Sequence, residues 1–298
     1  MKKKIISLLL ISAMYLVAVV AAAAVIAVLI PYIESAILLL FIGDVIATVI
    51  IYAFGVIIKN SSTYDPYWSV QPIVVLTGFY ILTGAPFMAY HLFALIPLSV
   101  WAVRLTLNWA KGFDDLKWQD WRYVMLRENN KKIWQLVNFF GINMIPTVLV
   151  FGGTIPIMQY IEAGSFNIAL SIIGCTVSLA AAALQTIADK QLADFKKLQT
   201  GGCIESGLWK YSRHPNYLGE VSLWWGFFIL AIPCFTPLTI AGAVAITLLF
   251  TFISIPLMEK RLIKRDGYQD YKKRVSRILL LPQRKVKIET DIVEEILN

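Results

Sequence analysis

Residues 5–30 read "IISLLLISAMYLVAVVAAAAVIAVLI", a run without a single charge. As a helix it extends about 39 Å, more than the roughly 30 Å of a bilayer's hydrocarbon. The preceding "MKKK" and the alanines at 21–24 imitate a secretory signal and its cleavage site. A signal core has about 7–15 apolar residues, however, and this run continues to Ile33, so it reads as a retained first span.

Further apolar stretches follow at 36–58, 71–90, 92–110, 133–160, 166–188, 217–233 and 238–258. The last two are punctuated by Pro233 and Pro237 in "IPCFTP", which suits a tight hairpin. Of the whole chain, 58% is hydrophobic and 15% charged, against about 25% charged in soluble domains. The fold expected is an all-α, polytopic transmembrane helical bundle of about seven to eight spans. Its divisions are an N-terminal hairpin (1–60), a main transmembrane domain (61–282) and a charged tail (283–298) expected to form a short amphipathic helix or no structure. No internal repeat of the inverted-transporter kind is visible.

The net charge of +8 is explained by topology. The loops at 31–35, 160–165 and 231–238 contain no Lys or Arg, and the bases cluster in the alternate loops, with Arg104 near the inner end of the fourth span. The positive-inside rule therefore puts both termini in the cytoplasm. Nucleic acid is not an expected partner, because the bases lack the fold signals of such a module. Cys175 and Cys234 lie in apolar surroundings and only Cys203 in a polar loop, so no disulfide framework is expected. His91 and His214 fall on opposite sides, and no metal site is expected. Walker, nucleophile-elbow and GxGxxG patterns are missing.

The polar chemistry gathers in "GLWKYSRHPNYLGEVSLWWG", residues 207–226. Pro215 suits the first position of a helix, with Ser212 or His214 as its cap. The amide groups of 216–218 would then point outward, Lys210 and Arg213 stand beside them, and Gly219 would let a ligand approach: a seat for phosphate or carboxylate. Headgroup anchoring explains Lys210 and Arg213, but not Asn216 and Glu220 on one face within the helix. Trp224 continues that face as a candidate stacking wall. In "QTIADKQLADFKK", 185–197, Gln185, Asp189, Leu192 and Lys196 share a face that begins inside the membrane. Arg104 is an intramembrane charge in need of a partner, with Asp65, Asp115 and Glu220 as candidates. In "MEKRLIKRDGYQDYKKR", 258–274, Glu259, Arg261, Tyr268 and Tyr271 close a basic rim.

"RHPNYLGE" (213–220), "EKRLIKRDGYQDYKKR" (259–274) and the closing "LP" (281–282) resemble the C-terminal half of the steroid 5-alpha-reductase and isoprenylcysteine methyltransferase superfamily. An uncharacterised bacterial branch is similar over most of the chain, including "DPYWSVQP" (65–72), "RL" (104–105), "DWRYVMLR" (120–127) and "ADKQLADFK" (188–196). The resemblance implies an enzyme of the bacterial inner membrane whose cytoplasm-facing cavity holds NADPH in reductases or S-adenosylmethionine in methyltransferases. "NYLGE" followed by Trp224 matches the reductase pattern, Asp189 resembles the reductases' Asp on the preceding helix, and Lys196 replaces their Arg. Two departures from the steroid reductases stand out. Asp65 is the nearest counterpart of the early-helix Glu that polarises an enone, and the Tyr before Arg104 reads as Trp101.

The expected activity is NADPH-dependent reduction of an activated carbon–carbon double bond in a lipophilic, steroid- or isoprenoid-like substrate entering from the bilayer lipids. Asp65, Tyr64, Tyr67 and Arg104 are the candidate catalytic groups. The candidate cofactor set is Gln185, Asp189, Lys196, Lys210, Arg213, His214, Asn216, Tyr217, Glu220 and Trp224, with Tyr268 and Tyr271. Phosphates favour many cations, which the rim offers. An S-adenosylmethionine-dependent methyltransferase is the alternative. A transporter or scaffold leaves the crowded mouth unexplained.

Overall fold

The computed structural model describes residues 2–164, 166–198 and 201–284. All of its regular structure is helical; among the described residues the sole β feature is an isolated parallel bridge between Ser212 and Ser276. Among the described residues, six helices are long and apolar enough to cross a membrane: α1 (Lys2–Leu29), α2 (Ala36–Ile57), α4 (Ala89–Gly112), α6 (Lys131–Glu162), α7 (Ile168–Lys197) and α9 (Pro237–Leu262). Between them lie α3 (Tyr67–Thr83), α5 (Trp121–Asn129), α8 (Pro215–Leu230) and, after α9, α10 (Tyr268–Arg274). At 17 and 16 residues, α3 and α8 lie at the short end of the lengths that cross a bilayer. The apolar run at 71–90 is not one helix. Gly84 adopts a left-handed conformation (φ 63°) that ends α3, and Pro86 follows, a residue poorly suited to continuing a helix. The tail expected at 283–298 lies outside the described residues beyond Arg284.

The chain forms two compact units. One comprises 1–179 and 224–246, the other 180–223 and 247–298. In the first, small residues let helices touch backbone to backbone. A Cβ on Gly242 would stand 2.2 Å from the Gly152 carbonyl carbon and from the Gly153 amide nitrogen. A Cβ on Gly153 would in turn meet the Trp224 ring at 2.5 Å. Without a hydrophobic driving force between helices in lipid, such close approach is what holds α6 against α9. Gly242→Ala is expected to destabilise the protein by about 1–3 kcal/mol or more, measured as a lowered melting temperature in detergent.

Two of the long helices contain a π-helical turn, at Val137–Met144 in α6 and Phe250–Ser254 in α9. Such turns free a backbone group from the regular ladder. In the first unit Asn143 Nδ2 donates to the Asn138 carbonyl at 2.8 Å. In the second the Thr251 carbonyl accepts from Arg277 Nη2 at 2.8 Å, tying the segment after α10 to α9.

Candidate functional site

In the second unit, α7 and α8 are brought together at Gly219. A Cβ there would lie 2.5 Å from Gln185 Cγ and 2.8 Å from the Ala181 carbonyl oxygen. The glycine thus admits a neighbouring helix, not a ligand as its position suggests in the sequence. The contact unites two polar stripes: Gln185 and Asp189 on α7, Asn216 and Glu220 on α8. Asn216 Nδ2 donates to Asp189 Oδ1 at 3.3 Å, and its Oδ1 accepts from the Tyr217 amide at 3.1 Å. Gln185 and Glu220 are 2% and 6% exposed.

Helix α8 does begin at Pro215, yet its first amides are not free. Those of Tyr217 and Leu218 both donate to the His214 carbonyl at 3.1 Å. The expected open amide seat is therefore mostly closed, because His214 turns its own backbone into the cap. Ser212 acts one step earlier, accepting from the His214 amide at 3.2 Å.

The centre of this unit is Glu259. Its carboxylate receives Arg213 Nη2 at 3.1 Å, Lys272 Nζ at 3.3 Å and His214 Nε2 at 3.4 Å. Arg213 also donates to the Lys272 carbonyl at 3.3 Å. Burial pushes the His214 imidazole below its usual range, against the pull of Glu259. That ring stacks on Tyr217 at 5.4 Å. Tyr271 donates to the Trp209 carbonyl at 2.7 Å, which holds the 207–214 segment in place. The segment after α10 completes the hold: the Arg213 amide donates to the Ser276 carbonyl at 2.9 Å and Ser212 Oγ to that of Ile278 at 2.7 Å. Tyr268 is fully buried beside Tyr271. Lys196 and Lys210 are exposed, with Lys210 near the Tyr211 ring.

The first unit contains a separate polar centre, built on a residue that the sequence reading passes over. Asp44, 4% exposed on α2, accepts from Tyr67 Oη at 2.6 Å and from Gln71 Nε2 at 2.5 Å. Gln71 reaches on to the Thr147 carbonyl at 2.9 Å, and Thr147 Oγ1 pairs with Tyr64 Oη at 2.7 Å and Thr48 Oγ1 at 2.8 Å. Tyr64 and Tyr67 thus come together. Arg104 sits half-buried on α4, and Trp224 packs fully buried on Trp101 at 5.2 Å. The non-helical stretch before α3 is buried from Asn60 to Tyr64, and its polar groups are met: Asn60 Nδ2 donates to the carbonyls of Leu116 and Trp118 at 2.7 and 2.8 Å, and the Thr63 carbonyl accepts from Tyr15.

Asp65 belongs to neither set. It accepts from Tyr123 on α5, whose neighbour Arg122 forms a two-pronged pair with Asp120 at 2.8 and 3.1 Å. Desolvation pushes the Asp65 carboxyl up to about 7, although Arg122 and Tyr123 pull the other way. The folded chain therefore holds this proton where the unfolded chain has released it. The stability it contributes is present at acid pH and lost as pH rises towards about 7. Melting temperature should carry a falling component from about pH 5 to pH 7 that Asp65→Asn abolishes.

A family model described as "Protein of unknown function (DUF1295)" matches residues 51–275. The chain belongs to this family. DUF1295 lies in the steroid 5-alpha-reductase-like superfamily. A fission-yeast relative, "Uncharacterized protein C594.04c" of Schizosaccharomyces pombe, is 24% identical over 225 residues, covering 67% of this chain and 64% of the relative. The chain thus spans just under two thirds of that protein's length. No solved structure matches. The DUF1295 match includes Tyr64, Tyr67, Gln71 and Thr147 together with the whole Arg213–Glu259–Lys272 cluster, whereas Asp44 precedes it.

Proposed function

We propose that this DUF1295 protein is a membrane-embedded reductase that uses NADPH to saturate an activated carbon–carbon double bond in a lipophilic substrate. The observation that carries this reading is the Tyr67–Asp44 pair, a tyrosine hydroxyl held at 2.6 Å by a buried carboxyl within the spans. Such a hydroxyl suits an oxygen on which charge develops. Methyl transfer to a nucleophile calls for no such acid.

The residues of the second unit fit a dinucleotide. Among the described residues, Gln185 Nε2 and Arg213 Nε are buried donors that meet no protein acceptor, and a nucleotide offers acceptors to both. Lys196, Lys210, Arg261 and Arg265 add exposed cations suited to phosphates. When bound, NADPH supplies a hydride for the β-carbon of the alkene. The alkene's electron pair shifts towards the carbonyl oxygen, the Tyr67 hydroxyl turns its one proton from Asp44 to the resulting enolate oxygen, and the α-carbon then takes a proton from water. Without substrate Asp44 accepts the Tyr67 proton, and Gln71 keeps Asp44 in place when that proton turns away. One feature favours an S-adenosylmethionine methyltransferase: Glu259 already occupies Arg213 and Lys272, which lowers the charge left for phosphates.

Melting of the detergent-solubilised protein with NADPH, NADH and S-adenosylmethionine separates the two. NADPH at about 100 times its dissociation constant stabilises a native site by about 2.7 kcal/mol, so a clear rise is expected. Asn216→Ala should reduce it and Tyr67→Phe should not. A rise with S-adenosylmethionine alone sinks the reductase reading.

A further inference from the structure

The helix α5 and the start of α6 enclose a groove of about 500 Å³ lined by Gln119, Val124, Arg127, Glu128, Lys131 and Trp134. Val124, Arg127 and Glu128 are exposed, whereas Tyr123 turns inward to Asp65, so one face of α5 lies on the surface of its unit. Two cations and one carboxylate line the groove. Among the described residues no ion pair takes up Arg127 or Lys131, whereas the neighbouring Arg122 is engaged by Asp120.

The surroundings say what kind of anion suits it. Directly beyond Lys131, the helix exposes Ile133, Leu136 and Phe140 at 51%, 59% and 52%. Together they leave an exposed apolar strip along the first turns of a membrane-crossing helix. Trp134, half-buried, stands where strip and groove meet, the level at which indoles partition in a bilayer. A cationic recess continuous with a lipid-facing strip complements an amphiphile with a negative head. A free phosphate would use the recess and leave the strip without a role.

We propose that this groove is a binding site for an anionic phospholipid, with the phosphate between Arg127 and Lys131, the acyl chains along Ile133, Leu136 and Phe140, and Glu128 limiting how much negative charge the head can carry. The site is independent of the proposed reductase chemistry, since none of its residues belongs to either polar centre.

The test is native mass spectrometry of the full chain released from micelles containing equal amounts of phosphatidylglycerol and phosphatidylcholine. Wild type should retain phosphatidylglycerol preferentially. The double variant Arg127→Ala/Lys131→Ala should lose that preference by about tenfold or more. Lys260→Ala/Lys264→Ala, which removes two exposed bases elsewhere, should keep it. Glu128→Gln should strengthen it. Melting curves of all variants report that they fold. Equal retention of the two lipids by wild type overturns the proposal, as does an equal loss in the control pair. Displacement of the lipid by millimolar inorganic phosphate identifies a plain anion site and overturns it too.

Discussion

Glu259→Ala is expected to destabilise the protein by about 3–5 kcal/mol, the range for removing one partner of a buried ion pair. The side chain is 11% exposed and serves Arg213, His214 and Lys272 together. Without it, a guanidinium that is 7% exposed keeps its charge and loses its carboxylate. Lys272 can turn to water, being 41% exposed, but Arg213 cannot. Glu259→Gln retains an acceptor and the volume and should cost less. Thermal or denaturant unfolding in detergent provides the comparison. The same argument warns against Arg213→Ala as a probe of ligand binding, since a lost ligand response would be confounded with a damaged fold.

Tyr67→Phe is expected to lower turnover of an α,β-unsaturated lipid by about 10²–10³-fold, the usual effect of deleting one donor to a developing oxyanion. NADPH consumption with a panel of steroid and isoprenoid enones is the measurement. Asp44 keeps its bond from Gln71 in this variant, so the fold should survive at a cost of about 1–3 kcal/mol. Tyr15→Phe is the control. Tyr15 packs edge-on against Tyr67 at 5.6 Å, but its hydroxyl serves the Thr63 carbonyl. Its removal should leave turnover within a few-fold. Equal activity in the Tyr67 and Tyr15 variants would remove the acid from the proposed mechanism.

The spans were legible because lipid imposes a simple demand, an unbroken apolar run with every backbone group bonded internally. That demand also marked α3 and α8, as the stretches 71–90 and 217–233, but not their bounds, which Gly84 and Pro215 set. The start of α8 at Pro215 followed from local chemistry, whereas the use of its first amides did not, since it depends on the fold of His214 back onto them. The role of Gly219 was open for a related reason: an absent Cβ permits a ligand and a helix equally, and only the path of α7 decides. Asp44 is a different matter. It is the one acid in an otherwise apolar helix, and an intramembrane carboxyl is a functional candidate on sight. Asp65 stands among polar loop residues, where a carboxylate carries no comparable signal, and the fold gives it to Tyr123.

The bridge between Ser212 and Ser276 bears on how the protein is made. Chains emerge from the ribosome N-terminus first and fold in that order where they can. The segment 207–214 cannot settle then, because Ser212 Oγ waits for the carbonyl of Ile278, 66 residues later in the chain, and Arg213 waits for Glu259. Helices α8 and α9 are synthesised during that delay. Until they are in place, Arg213 and His214 must stay hydrated or be sheltered by an insertion chaperone, and a nascent chain stalled before residue 276 presents an unfinished second unit to membrane quality control.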